Sequence, residues 1–189
     1  MRLFIAIEID GRILQMIEAI RQRLRAADAD VKWVEPENTH LTIKFIGHVD
    51  DSKVPQICEA ASRAAAAVEP FDLHICGVGT FPAGRPRVLW VGAADPSGNL
   101  GKLHERTESA LAHLGLPPEE REFTAHLTLG RVRSGRNVRR LVDMLAAEGP
   151  ADLGVSRADS ITLFESKLTP RGPIYRAVER MKLGAAGRQ

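Results

Sequence analysis

"NTHLTIKFIG" at residues 38–47 and "TAHLTLGRVR" at residues 124–133 share a His-Leu-Thr core. In an extended chain successive side chains alternate faces, so His40 and Thr42 share one face while Leu41 and Ile43 share the other. His126 and Thr128 share a face in the same way, opposite Leu127 and Leu129. Each copy reads as a strand with one buried apolar face and one polar face that offers an imidazole beside a hydroxyl. Two such copies, nearly half of the 189 residues apart, predict two similar lobes facing each other. Both imidazoles and both hydroxyls would then converge on one cleft.

Working outward, apolar residues recur at helical spacing in four stretches. These run through Ile13, Ile17, Ile20 and Leu24, then Val54, Ile57, Ala61, Ala64 and Val68. The third holds Leu100, Leu103, Leu111 and Leu114, with Pro117-Pro118 expected to stop it. The fourth holds Val138, Leu141, Val142 and Leu145, with Asn137 placed to cap it and Gly149-Pro150 to end it. Strand-like segments lie at 2–9, 31–34, 40–46, 71–79, 87–92, 122–130, 151–156, 159–165 and 174–182. Helices therefore punctuate groups of strands, and short turns such as "ADS" (158–160) and "GTFPAGRPR" (79–87) favour antiparallel pairing. The expectation is an α+β fold of two pseudo-symmetric lobes, with antiparallel sheets around a central cleft. A single domain would span residues 1–189, with a flexible tail from about residue 184.

Composition bounds the function. The chain is 44% hydrophobic with a net charge of +2, ordinary for a soluble globular protein, and it has no run of membrane-spanning length. "MRLFIAIEID" has Arg2 ahead of apolar residues, but Glu8 and Asp10 interrupt it too early for a signal peptide, so it reads as a first strand. Two cysteines, Cys58 and Cys76, make neither a disulfide framework nor a metal motif, which points to the cytoplasm. Charge is uneven: "RVRSGRNVRR" (131–140) holds five arginines and no acid, and Arg85, Arg87, Arg171 and Arg176 lie near other turns. A local basic face on a near-neutral protein suits an anionic ligand.

Two imidazoles suit concerted acid–base catalysis, because with pKa values near 6.5 one ring can be neutral while the other is charged. Threonine hydroxyls two residues on can bond the non-bridging oxygens of a phosphodiester. Zinc shared by His40, His126 and a third ligand is the metal alternative, although neither segment holds an acidic ligand. "SGNLGK" (97–102) departs from a phosphate loop in glycine spacing and in Leu103 after the lysine, and reads as a helix start. No G-x-S-x-G elbow exists, and Cys58 reads as core packing. Of the other histidines, His48 is expected at the surface, His104 and His113 on the exposed side of the third helix, and His74 on a polar strand face that could line the cleft.

"HLTI" (40–43) and "HLTL" (126–129) resemble the paired H-x-T-x motifs of the two-histidine (2H) phosphoesterase superfamily. More closely, the chain resembles RNA 2′,3′-cyclic phosphodiesterases, also called 2′-5′ RNA ligases (the LigT/ThpR family). The likeness extends through "RLFIAIEI", "VKWVEPENTHLTIKFIG", "GVGTFPAGRPRVLWVG", "REFTAHLTLGRV" and "ITLFESKLTPRGPIYRAV". It implies a bilobal α+β fold, no metal and no other cofactor, with His40 as proton donor and His126 as proton acceptor. Its implied substrates are RNA ends bearing a 2′,3′-cyclic phosphate, tRNA fragments among them, or nucleotides, acted on by a monomer away from membranes. Arg131 matches a family arginine associated with phosphate, although strict alternation aims it away from His126 unless Gly130 bulges or the strand ends. Lys44, on the His40 face by alternation, and Tyr175 are further substrate-binding candidates, while Phe45 alternates inward. Two departures stand out: Ala125 where the family has Pro, and Thr39 where it has an apolar residue. Other readings are a phosphodiesterase for a small cyclic nucleotide and a non-catalytic nucleotide- or RNA-binding module. Retention of both complete motifs argues against the last.

Overall fold

A computed structural model describes residues 1–83, 85–170 and 172–184. The elements run β1 (Arg2–Glu8), α1 (Gly11–Arg25), β2 (Val31–Trp33), β3 (His40–His48), α2 (Val54–Ala66), β4 (Phe71–Phe81) and β5 (Val88–Ala94). They continue with α3 (Asn99–Ala112), β6 (His126–Val132), α4 (Val138–Ala147), β7 (Asp152–Ala158), β8 (Ser160–Thr169) and β9 (Gly172–Lys182). Every sequence-read helix and strand is present, although β6 starts at His126 and not at residue 122. All strand pairings are antiparallel, in the order β7-β4-β5-β6-β3-β1-β8-β9, with β2 added beside β6. Among the described residues no helix is long and apolar enough to cross a membrane.

Two four-stranded halves, β7-β4-β5-β6 and β3-β1-β8-β9, meet at one residue pair, Leu41 opposite Leu127. The helices bury their apolar stripes (Ile13 and Ile17 of α1, Ile57 of α2, Leu103 and Leu111 of α3, Leu141 of α4) against one sheet face, in one cluster with Leu41, Ile43, Leu73, Ile75, Leu127 and Leu129. The other face, carrying His40, Thr42, His126 and Thr128, is left for the cleft. Central strand β1 is buried on both faces, because aromatic rings cover its cleft side at Phe4.

Helix ends follow local chemistry. The Asp10 carboxylate accepts from Arg12 N at 2.8 Å and starts α1. At α3 the Asp95 carboxylate accepts from Ser97 N and Leu100 N, so "SGNLGK" is a helix start. The helix stops at Ala112, ahead of Pro117-Pro118, and Gly115 at φ +76° carries the chain out of it. Asn137 does not cap α4 with its side chain; the amide donates to Asp28 O at 3.0 Å.

The two motif strands share an irregularity. Between β1 and β3, Ala6 opposes Thr42 and Ile5 opposes Lys44, leaving Ile43 as an extra residue. Between β5 and β6, Trp90 opposes Thr128 and Leu89 opposes Gly130, leaving Leu129 extra. Such a bulge, three residues past each histidine, reverses the alternation beyond it.

Candidate active site

The antiparallel register through Leu41 and Leu127 sets His40 level with Thr128 and Thr42 level with His126. The four side chains form a quadrilateral with the imidazoles on a diagonal; in a regular antiparallel pair Cα atoms so placed stand roughly 7–8 Å apart. All four line a cavity of about 500 Å³. The two rings are held alike: His40 Nδ1 lies 2.7 Å from Asn38 O, and His126 Nδ1 lies 2.7 Å from Thr124 O. A carbonyl only accepts, so each Nδ1 carries the proton and each Nε2 is left for the cavity.

Their surroundings differ. His40 stacks on Phe4 (4.8 Å between centroids) and meets the edge of Tyr175 (5.3 Å), whereas His126 meets the edge of Phe81 (5.1 Å). Burial pushes the His40 pKa down to about 4, opposed by the Asn38 carbonyl and reinforced by His126. At neutral pH this places the His40 ring in its uncharged form.

The strand before His40 is anchored by Arg21 of α1, whose side chain is fully buried. It pairs with Glu18 and donates to Thr39 Oγ1 at 3.0 Å. Thr39, the polar departure noted in the sequence, thus has a partner, and Asn38 Nδ2 donates to Pro173 O at 3.1 Å. Ala125, the other departure, is held in the ladder through its carbonyl, which accepts from Ala93 N.

The bulges decide which candidates reach the cavity. Arg131 turns onto the His126 face and lines it. Lys44 turns the other way: it is 3% exposed, bound to the Glu108 carboxylate (2.7 Å) and to Pro117 O (2.9 Å). It does not line the cavity, contrary to the alternation argument. Phe45, expected in the core, is 49% exposed and lines the cavity, with the Arg2 guanidinium 5.7 Å over its ring. Tyr175 also lines the cavity, and burial raises its pKa against the opposing pull of Arg131 and Arg2.

Of the basic run at 131–140, Arg131 alone lines the cavity. Arg136 pairs with Asp28, and Arg139 and Arg140 belong to α4, whose apolar stripe packs on the opposite sheet face. Arg176 pairs with Glu165 and Arg171 lies outside the described residues, as does the tail beyond residue 184. His74 lines a separate, shallower depression with Asp95 and Arg157. His104, expected to be exposed, is half-buried, with Nδ1 3.1 Å from Ile43 O and its ring stacked on Phe123.

Sequence reasoning overlooked Arg2, Lys32, Asn38 and the apolar wall of Phe45, Leu168 and Ile174. Alternation in "VKW" could have found Lys32, which faces away from Val31 and Trp33. Arg21 stands one turn after Ile17 on an apolar stripe, a visible anomaly. Among the described residues no group of three or more His, Cys, Asp or Glu gathers to hold a metal.

A family model described as LigT like Phosphoesterase matches twice, at residues 7–90 and 91–175. A protein of Methanothermobacter thermautotrophicus named RNA 2′,3′-cyclic phosphodiesterase is 36% identical over 183 residues, covering 96% of this chain and 98% of that one. A protein of the same name from Thermotoga maritima is 33% identical over 180 residues, 94% and 93% of the two chains. Among solved structures, a Thermus thermophilus protein superposes with a TM-score of 0.83 at 26% identity, covering 98% and 100%. Escherichia coli LigT complexed with 3′-AMP gives 0.79 at 25% identity, covering 96% and 97%.

Proposed function

The chain belongs to the LigT-like phosphoesterase family, and on that footing we propose that it hydrolyses RNA 2′,3′-cyclic phosphodiester ends to 2′-phosphates. The observation that carries this reading is the matched pair of imidazoles in one cavity, each with Nδ1 held by a backbone carbonyl. Relatives bearing that activity in their names support the substrate class.

The chemistry follows from the quadrilateral. A cyclic phosphate seated among the four side chains accepts hydrogen bonds from Thr42 and Thr128 on its non-bridging oxygens. Water attacks phosphorus and loses its proton to Nε2 of His126. The bond to the 3′ oxygen breaks, and His40 protonates that oxygen as it leaves, so the phosphate stays on the 2′ oxygen. Each proton transfer contributes roughly 10²–10⁴ in rate. His40 is uncharged at neutral pH, so it takes up its proton as the anion enters; a negative charge within about 4–6 Å favours the imidazolium. Arg131 and Tyr175 line the same cavity and are suited to hold the substrate there.

With a 5′-hydroxyl in place of water, the same steps form a 2′-5′ bond using the strain of the cyclic ester, without ATP. In water, hydrolysis predominates. RNA as substrate, with free Cys58 and Cys76, fits the cytoplasm.

Phosphorus NMR of the product from an oligonucleotide 2′,3′-cyclic phosphate, with EDTA present, tests the reading. The wild type yields only the 2′-phosphate, and His40→Ala and His126→Ala each lose at least about 10²-fold in kcat. Recovery that depends on added metal would favour the zinc alternative. A substrate whose leaving 3′ oxygen is replaced by sulfur needs little protonation. It restores His40→Ala and leaves His126→Ala inactive, and the reverse pattern would exchange the two roles.

A further inference from the structure

Lys32 stands directly opposite Arg131 in the β2–β6 ladder, on the same side of the sheet, and both line the cavity. Side chains so paired have Cβ atoms roughly 4.5–5.5 Å apart, and like charges there destabilise a sheet. Neither cation has an acidic partner among the described residues, although Glu35 and Glu37 line the same cavity. Cations elsewhere that stand close to an acid do pair with it, as Lys44 does with Glu108 and Arg176 with Glu165.

β2 exists here for a geometric reason. Beyond Leu127, β3 no longer pairs with β6, and β2 takes the vacant edge from Gly130 to Val132. The approach is close: a Cβ on Gly130 would lie 2.6 Å from Val31 Cγ1. The Leu129 bulge then puts Arg131 two strand steps beyond Thr128 on the cleft side, roughly 7 Å along the strand. Lys32 is carried there with it. Opposite stand the exposed apolar side chains Phe45, Leu168 and Ile174, at 49%, 69% and 60% exposure. Lys32 and Arg131 thus make a cationic stretch of the cavity wall, and Phe45, Leu168 and Ile174, with Arg2 over the Phe45 ring, an apolar one.

We propose that Lys32 and Arg131 together hold a second phosphate, the internucleotide phosphate one step upstream of the cyclic ester. The preferred substrate is therefore an RNA end with at least one further phosphodiester, not a free nucleoside cyclic phosphate. This rests on the phosphodiesterase reading above. An anion between the two cations relieves their repulsion, and the apolar wall is left to the terminal base. The wall that tracks RNA is thus β2 and not the arginines of α4.

The test compares kcat/KM for uridine 2′,3′-cyclic phosphate and for a dinucleotide ending in the same cyclic uridylate. The wild type favours the dinucleotide. Lys32→Gln lowers the dinucleotide value about tenfold more than the mononucleotide value and reduces the salt slope for the dinucleotide by about 1. Lys32→Arg keeps the preference. Equal losses for both substrates, or a wild type without preference, would overturn the proposal. Calorimetric binding of a dinucleotide 3′-phosphate against uridine 3′-phosphate reads the second contact without turnover. If neither cyclic ester is hydrolysed but Lys32→Gln still removes the extra affinity for the dinucleotide, the reaction fails while the subsite stands. Binding that ignores both the second phosphate and Lys32 sinks the subsite alone.

Discussion

His40 shows how the chemistry proposed for one residue is tied to stability. Its ring lies among Phe4, Phe164 and Tyr175, and burial holds its pKa near 4 against 6.5 in the unfolded chain. Between those pH values the unfolded state binds more protons, so stability rises with pH there. The contribution is full above pH 6.5 and is lost as pH falls towards 4. At pH 5 the loss is about 2 kcal/mol, taking 1.36 kcal/mol per pKa unit. Urea titrations at pH 7 and pH 5 should therefore show His40→Gln losing about 2 kcal/mol less than the wild type on acidification. Equal losses would mean that the ring titrates normally in the folded protein. The convergence of the two histidines on one cavity was legible, since both stood in a repeated motif with an interpretable alternation. The buried stack over one ring was not, because Phe4, Phe164 and Tyr175 arrive from three strands distant in sequence.

At the scale of the element, the bulges mark where sequence reasoning failed. Alternation is a property of a regular ladder, and nothing in "HLTIKFIG" announces that Ile43 is an extra residue. The error reversed two assignments at once, placing Lys44 in the cavity and Phe45 in the core. The same reasoning made Arg131 conditional on a bulge, and there the condition is met, beside Gly130. Lys44 is a structural cation joining β3 to α3 through Glu108, whose Oε2 also accepts from Glu119 N. Removing one member of a buried pair leaves the other charge uncompensated, whereas replacing both with apolar groups is often tolerated. Lys44→Met should cost about 3 kcal/mol in urea unfolding, and Lys44→Met with Glu108→Leu should recover most of it. A single variant as stable as the wild type would mean that the pair is solvated in solution.

For the whole molecule, the doubled family match at 7–90 and 91–175 suggests two units, yet the topology interleaves them. β4 and β5, from the first half of the chain, lie between β7 and β6 of the second. β8 and β9, from the end of the chain, complete the half-sheet begun by β1 and β3. The helices cross in the same manner, α1 packing against β7 and α3 against β3. The repeat made two facing lobes legible, but periodicity carries no information about which strand is inserted where. Neither half possesses its own sheet, so neither can bury its apolar face alone, and the chain should unfold as one cooperative unit. The natural probes can separate the alternatives. Both tryptophans, Trp33 on β2 and Trp90 on β5, sit beside β6, so fluorescence reports that half-sheet while far-ultraviolet dichroism reports the whole chain. Urea transitions followed by the two signals should coincide in midpoint and slope, and a fragment of residues 1–94 should show no cooperative transition. Separated midpoints, or a fragment that melts cooperatively, would establish two independent lobes and make the cleft a movable joint between them.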